Sequence, residues 1–218
     1  MNLKNLFLVN FIWILVFTQN MDAQSDKEAE ALVEKVLEKV SAYNNMVISF
    51  KYILENTNEN IKQETRGDVT IQDEKYVLNL MGTQRIFDGK HIYTIIPEDE
   101  EVIISLYNEE DESEITPSSM LTFFEEGYHY QMDIIQNDKG RKIQFVKLIP
   151  MDSEADIKEI YLGIDQQTHH IHNLIQLQEN GTKTEIKVNS FKANQPLSEI
   201  LFKFNEDKYS NYYIIRLD

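Results

Sequence analysis

The residues most capable of metal chemistry are three histidines that stand close together, His169, His170 and His172. Imidazole nitrogens can bind zinc, and residues two apart on one strand, such as His170 and His172, project from the same face. The sequence has no cysteine, and its pattern places no third ligand beside such a pair. We interpret the histidines as part of a solvated turn and predict neither a metal site nor a cofactor.

The adjacent hydroxyls of Ser118 and Ser119 are the next candidates for chemistry. They lack the strand-turn-helix setting of a nucleophile elbow, and we interpret them as the polar first turn of a helix. The sequence contains no phosphate-binding loop, dinucleotide fingerprint or zinc-helix motif. We therefore expect a protein that is not an enzyme. A hydrolase that uses scattered Asp, Glu and His residues stays open as an alternative.

The N-terminus has the layout of a secretory signal peptide. Lys4 is followed by an apolar run, residues 6–17, and then by a polar stretch that ends at Ala23. The apolar run is shorter than the roughly 20 residues that a membrane-spanning helix needs. We predict cleavage after Ala23, which leaves residues 24–218 as one soluble, exported domain. Without cysteine, that domain can carry neither a disulfide nor an acylated N-terminal cysteine.

The net charge of the chain is −16, from 21 basic and 37 acidic side chains. A surface of this sign repels phosphate backbones and anionic lipid headgroups. We therefore expect no nucleic acid partner and no residence on a membrane surface.

The periodicity of apolar residues predicts one long helix followed by many strands. Ser25 and Glu28 fit a capping box, and apolar residues then recur at three- and four-residue spacing from Ala29 to Tyr43. From Met46 onward, alternation with period two predicts a strand. Further strands are predicted at 65–72, 76–81, 84–87, 91–96, 102–108, 128–136, 142–149, 157–164, 171–179, 183–191, 201–204 and 212–217.

The connections favour an antiparallel sheet. Turn residues such as Asp88-Gly89 and Asn180-Gly181 separate neighbouring strands. One short helix is predicted over residues 117–126, and the acidic stretch Glu109–Glu114 before it is interpreted as a solvated loop. These features predict an α+β domain in which about eleven strands form one strongly curved sheet.

Two helices are too few to bury the apolar surface of so many strands. A curled sheet of this size cannot fill its interior with its own side chains, and exposed apolar concavities usually mark binding sites. Met, Phe, Tyr, Ile and Leu on this surface suit an acyl chain, which gains roughly 0.8 kcal/mol per buried methylene. Periodicity alone does not distinguish such a cavity from a tightly packed core.

The order of several short motifs resembles the LolA family of outer-membrane lipoprotein carriers. The matching pieces are Phe50 in its alternating strand, Gly67-Asp68-Val69, the run from Phe87 to Tyr93 with Pro97 behind it, and the segment Pro117–Phe124. The turn Asp88-Gly89-Lys90 with Tyr93 is the most specific of these pieces. The resemblance extends over nearly the whole predicted exported domain.

The resemblance implies a half-open β-barrel with helices covering its concave face. It also implies a periplasmic carrier that receives acylated lipoproteins from an inner-membrane ABC release complex and delivers them to an outer-membrane acceptor. We expect a monomer, because the open face of such a carrier must dock on successive partners. Members of the family have a lid and a hydrophobic wall. The implied lid residues are Met120, Leu121, Phe123 and Phe124, and the implied wall residues, extended by strand parity, are Ile48, Phe50, Tyr52, Leu54, Tyr76, Leu78 and Leu80.

One position departs from the family pattern. Many members have an Arg-Pro pair after the strand that contains the glycine matching Gly67. Asp73 and Glu74 stand at the positions of that pair here. The family's gating arginine is therefore missing. A lipid-binding sensor or interaction module of the same fold stays open as an alternative to a carrier.

Overall fold

The computed structural model describes residues 26–108, 116–152 and 155–217. The predicted signal peptide (residues 1–23), Ser25 of the predicted capping box and the acidic stretch Glu109–Glu114 lie outside the described residues.

One helix and twelve strands make up most of the described chain. Helix α1 covers residues 26–41. The strands are β1 Asn45–Asn56, β2 Ile61–Gln72, β3 Lys75–Leu80, β4 Thr83–Phe87, β5 His91–Ile96, β6 Glu101–Leu106, β7 Tyr128–Asp138, β8 Arg141–Pro150, β9 Ile157–Asp165, β10 Ile171–Gln178, β11 Thr182–Ala193 and β12 Tyr213–Leu217. Within the described ranges, no helix is both long enough and apolar enough to cross a bilayer.

The strands form a single curved sheet in the order β12-β6-β5-β4-β3-β2-β1-β11-β10-β9-β8-β7. Every neighbouring pair is antiparallel except β12 and β6, which are parallel. Most neighbours in space are also neighbours in sequence, as short turns require. In the described part of the chain the sheet does not close, because β12 and β7 are its two edges.

Helix α1 packs on one face of the sheet through the stripe that its sequence spacing predicts. Ala29, Val33 and Val36 lie one turn apart and are almost completely buried. They form the helix core with residues of β8 and β9 and with Phe124. The other buried members of the helix core are Val146, Leu148, Ile160, Leu162 and Ile164.

Two further apolar cores lie along the β1 to β6 half of the sheet. The central core consists of Met46, Ile48, Phe50, Val69, Ile71, Tyr76, Phe87 and Ile92. The edge core consists of Val77, Ile86, Ile95, Val102 and Phe202. Successive residues such as Tyr76 and Val77 belong to different cores, because successive side chains of a strand point to opposite faces. The segment after β11 therefore covers the face of the sheet opposite to α1.

The structure differs from the sequence-based prediction in two elements. The predicted strand 201–204 is wrong, because Glu199–Phe202 is a 3-10 helix that buries Phe202 in the edge core. The predicted helix 117–126 is instead two 3-10 helices, Ser119–Leu121 and Phe123–Glu125. Thr122 separates them with φ −133° and ψ −9°, outside the helical region. The sheet has twelve strands rather than about eleven, and these twelve correspond to the thirteen predicted segments without 201–204.

Candidate functional site

An apolar cavity of about 190 Å³ lies between α1, the sheet and the segment after the acidic stretch; we call it the central cavity. Its floor comes from β1, β2, β3, β10 and β11. Its lining residues are Val36, Lys39, Val40, Ile48, Phe50, Tyr52, Val69, Ile71, Leu78, Leu80, Pro117, Met120, Leu121, His169, His170, Ile171, Leu174, Ile186, Val188 and Phe191.

Strand register arranges the floor of the central cavity in rows that run across the sheet. Ile48 pairs with Val69 on one side and with Phe191 on the other. Phe50 is the next residue of β1 on the same face. It pairs with Val188 on β11 and with Gly67 on β2. Apolar side chains thus meet across neighbouring strands, so the cavity floor follows directly from alternation in β1.

A β-bulge in β11 adds an aromatic ring to the floor. The register shifts between Ser49 and Phe50, so that Asn189 is an extra residue between Val188 and Phe191 on β11. Three-residue spacing would normally put Val188 and Phe191 on opposite faces, and the extra residue brings both to the cavity. Phe191 then packs against the ring of His170, with ring centroids 4.2 Å apart.

The segment that contributes Pro117, Met120 and Leu121 to the lining is held by local hydrogen bonds. The backbone N–H of Ser119 donates to Oγ1 of Thr116 (3.1 Å), and the Ser119 hydroxyl donates to the Thr116 carbonyl (2.9 Å). The hydroxyl of Tyr130 donates to the carbonyls of Phe124 (2.6 Å) and Glu125 (2.9 Å). Met120 and Leu121, between these two anchors, reach the cavity.

The structure brings most of the sequence-predicted site residues to the central cavity. The lining includes Ile48, Phe50, Tyr52, Leu78, Leu80, Met120 and Leu121. Four predicted residues are not in the lining. Leu54 lies farther along β1 and is half-buried, and Tyr76 is buried in the central core against Phe87. Phe124 is fully buried in the helix core, with Phe123 packed beside it.

Sequence reasoning missed the contribution of α1 and of β10 and β11 to the cavity. Val36 and Val40 belong to the apolar stripe of α1. This stripe predicts that they are buried, but it does not specify which surface they face. Ile186 and Val188 follow the alternation of β11 and could have been found from it. Phe191 could not, because the bulge at Asn189 interrupts that alternation.

The basic residues of the lining belong to the β9–β10 turn and to the end of α1. Oδ1 of Asp165 accepts hydrogen bonds from the backbone N–H groups of Gln167 (2.9 Å) and Thr168 (3.1 Å). This Asx turn presents His169 and His170 to the cavity. The Tyr43 hydroxyl, just beyond α1, shares a hydrogen bond of 2.7 Å with Nε2 of His170.

The environment of His170 favours its neutral form. Burial lowers the pKa of His170 below its ordinary value, and the positive charge of Lys39 lowers the pKa further. Asp165 opposes these two effects. Lys39, on α1, and His170, in the β9–β10 turn, both line the central cavity.

His172 lies on the other face of the sheet, so the prediction that it shares a face with His170 is wrong. A register shift between Ile171 and Asn173 turns His172 outward beside Asn173. Nε2 of His172 is 2.7 Å from Oδ2 of Asp138, which also lies 2.9 Å from Nζ of Lys187. Among the described residues, no three His, Asp or Glu side chains are grouped to hold a metal ion.

Comparison with known proteins agrees with this architecture. The fold is similar to that of a conserved protein of Thermus thermophilus (TM-score 0.55, 11% identity, 84% of this chain and 98% of that one). It is also similar to that of the lipoprotein LppX of Mycobacterium tuberculosis (TM-score 0.50, 15% identity, 80% of this chain and 99% of that one). No curated protein matches the sequence significantly. The sequence model of the outer membrane lipoprotein carrier protein LolA matches residues 41–205, and the chain therefore belongs to the LolA family.

Proposed function

We propose that this protein is a periplasmic carrier that holds acyl chains of lipoproteins in the central cavity. The observation that supports the proposal best is the lining: apolar side chains from seven separate segments converge on one space. Family membership points to the same function. Burial of each methylene of an acyl chain contributes about 0.8 kcal/mol, so a chain of moderate length binds without catalytic groups or a cofactor.

The size of the cavity indicates that loading requires movement. Ligand pockets commonly measure roughly 300–1,000 Å³, and the central cavity measures about 190 Å³. It accommodates part of one chain, whereas a multiply acylated lipoprotein requires a larger space. We propose that α1 and residues 117–121 cover the concave face as a lid and that residues 117–121 move during loading. The 3-10 turn in this segment supports its movement, because hydrogen-bond geometry in a 3-10 helix is poorer than in an α-helix.

In this proposal, the partners are acylated lipoproteins, an inner-membrane ABC release complex and an outer-membrane acceptor. Export follows from the predicted signal peptide, with residues 24–218 as the mature monomer. The mass of the protein from the periplasmic fraction tests the export step. The expected mass begins at Gln24, and a mass that includes residues 1–23 would contradict cleavage.

A transfer assay tests carriage. Purified protein is loaded with an acylated lipoprotein and mixed with acceptor membranes, and lipoprotein in the membrane fraction is measured. We expect transfer by the wild type, and loss of loading in Val188→Trp, which fills the cavity. Asn189→Trp is the matched control, because Asn189 is the neighbouring exposed residue.

The outcomes of this assay separate carriage from two other functions. Loading without transfer would identify a lipid sensor or interaction module, which the absence of the Arg-Pro pair at Asp73 and Glu74 favours. Cleavage of the lipoprotein would identify a hydrolase. Absence of loading would contradict the acyl-binding cavity itself.

A further inference from the structure

The lining of the central cavity differs in charge from the protein as a whole, because its one formally charged side chain among the described residues is the cation Lys39. The chain has 37 acidic and 21 basic side chains. None of the described residues that line the cavity is acidic, whereas Lys39, His169 and His170 are basic. Their placement in so acidic a protein indicates a preference for a ligand group of negative charge.

These basic residues form a rim at one side of the apolar space. Lys39 is solvent-exposed on the last turns of α1, and His169 and His170 are half-buried in the facing β9–β10 turn. The apolar residues Ile171 and Leu174 continue from the turn into the cavity along β10. A ligand that follows the same path has a charged end at the rim and an apolar end inside.

The acidic group that acts on His170, Asp165, is held by other partners. Asp165 influences His170, but it is almost completely buried below the turn. Its Oδ1 accepts two backbone hydrogen bonds, and its Oδ2 lies 3.9 Å from Nη1 of Arg141. No ion pair of Lys39 occurs among the described residues, so its ammonium is available to a ligand.

We propose that the central cavity binds a single-chain anionic amphiphile, with the acyl chain among the apolar residues and a carboxylate or monoester phosphate at Lys39, His169 and His170. This inference rests on the proposed function, because it requires an acyl chain in the cavity. The cavity volume of about 190 Å³ accommodates part of one acyl chain and leaves no room for a second. A fatty acid and a monoacyl phosphate share the chemistry that the rim recognises.

Binding of three ligands that share a twelve-carbon chain tests the proposal. Laurate, dodecyl phosphate and dodecanol are titrated into the delipidated protein by calorimetry, each below its micelle-forming concentration. We expect the two anions to bind several-fold more tightly than dodecanol at low salt. We also expect this difference to shrink at high salt, since exposed charges are screened.

Substitutions of two lysines on α1 distinguish an effect of the rim on ligand binding from a general effect of surface charge. Lys39→Gln is expected to weaken binding of the anions by about two- to fivefold, the range for an exposed ion pair, and to weaken dodecanol binding less. Lys39→Arg should keep the preference. The matched control is Lys35→Gln, because Lys35 is exposed on the same helix and is not in the cavity lining.

The outcomes distinguish failure of this inference from failure of the proposed function. Equal affinity for the anions and dodecanol, unchanged in Lys39→Gln, would overturn the anionic preference and leave acyl binding intact. Absence of binding for all three ligands would overturn both. A preference confined to the phosphate or to the carboxylate would support the rim and identify the headgroup.

Discussion

Phe50 and Gly67 face each other across strands β1 and β2, and the phenyl ring lies over the glycine. A Cβ atom at Gly67 would stand 2.6 Å from Cζ of Phe50 and 2.9 Å from the carbonyl oxygen of Asn79. The absence of a side chain at Gly67 therefore leaves the space that the Phe50 ring occupies. Gly67 is also part of the motif on which the family resemblance rests.

We predict that Gly67→Ala lowers both stability and acyl affinity. The new methyl group displaces the Phe50 ring toward the cavity, and overpacking of this kind costs about 1–3 kcal/mol of unfolding free energy. Thermal unfolding and titration of a fluorescent fatty acid measure the two effects. Phe50→Leu in the Gly67→Ala background should recover part of the affinity, because it removes the ring from the clash.

Gly163→Ala is the matched control for this prediction. A Cβ atom at Gly163 would stand 3.0 Å from Phe145, on the face of the sheet opposite to the cavity. This variant should lose stability and keep the acyl affinity of the wild type. Equal losses of affinity in Gly67→Ala and Gly163→Ala would mean that the Phe50 ring does not define the binding space.

The segment after the acidic stretch has one part that faces the cavity and one part that belongs to the core. We predict that the double variant Met120→Ala/Leu121→Ala lowers acyl affinity about tenfold or more, because two large apolar contacts are lost. Phe124→Ala should instead lower the free energy of unfolding by about 3–5 kcal/mol, as expected for a buried phenylalanine. Chemical denaturation measures the stability of both variants, and probe titration measures their acyl affinity. Equal effects of the two variants on affinity would contradict the division between cavity and core residues.

The segment also shows where sequence-based prediction ends. Thr116, Pro117 and Gly127 correctly delimit a helical region, because capping and turn residues act locally. The break at Thr122 and the division between Leu121 and Phe124 depend on tertiary contacts, which the apolar pattern does not specify. All four apolar residues of the segment were therefore expected in the lid, and two of them contribute to the helix core or pack against it.

The same limit applies to the sheet. Alternation in β1 correctly predicts that Ile48, Phe50 and Tyr52 share a face, because the side-chain period of a strand is two. Bulges break that period, so the outward turn of His172 and the inward turn of Phe191 could not be predicted. The four-residue run 201–204 is too short for alternation to distinguish a strand from a 3-10 turn.

The ion pairs of Asp138 on the outer face predict a loss of stability in acid. Hydrogen bonds from His172 and Lys187 lower the pKa of Asp138 from its ordinary value of 3.8 to about 2. A carboxyl group with a lowered pKa in the folded state stabilises the fold above its unfolded pKa, and the stabilisation is lost as the pH falls through the folded pKa. We therefore expect this contribution to disappear between about pH 4 and pH 2.

The comparison of wild type with Asp138→Asn measures this contribution. The variant should be less stable at pH 5 to 7, and the difference in melting temperature should vanish as the pH approaches about 2, where Asp138 is protonated. A difference that stays constant over the whole range would show that the Asp138 charge is not responsible. Acyl affinity at pH 7 should be unchanged, since Asp138 is not in the cavity lining.

Asp73 and Glu74 form the turn between β2 and β3, and both side chains are exposed. We predict that the absence of the family's arginine leaves an open form well populated without ligand. Asp73→Arg/Glu74→Pro should then favour the closed form and weaken binding of a fluorescent fatty acid by up to about tenfold, the effect of 1.4 kcal/mol. Asp73→Lys/Glu74→Pro controls for charge and turn strain, because lysine lacks the planar fork of arginine. Equal affinities in the three proteins would place gating elsewhere.

Photo-crosslinking of a bound fatty acid tests the acyl-binding cavity most directly. A fatty acid with a diazirine near its methyl end is bound to the delipidated protein, irradiated, and located by peptide mass spectrometry. We predict labelling of residues that line the central cavity, such as Phe50, Leu78 and Leu121, and loss of labelling in Val188→Trp but not in Asn189→Trp. Labelling centred on exposed apolar residues of the sheet edge, such as Ile134 and Ile135, would contradict the account.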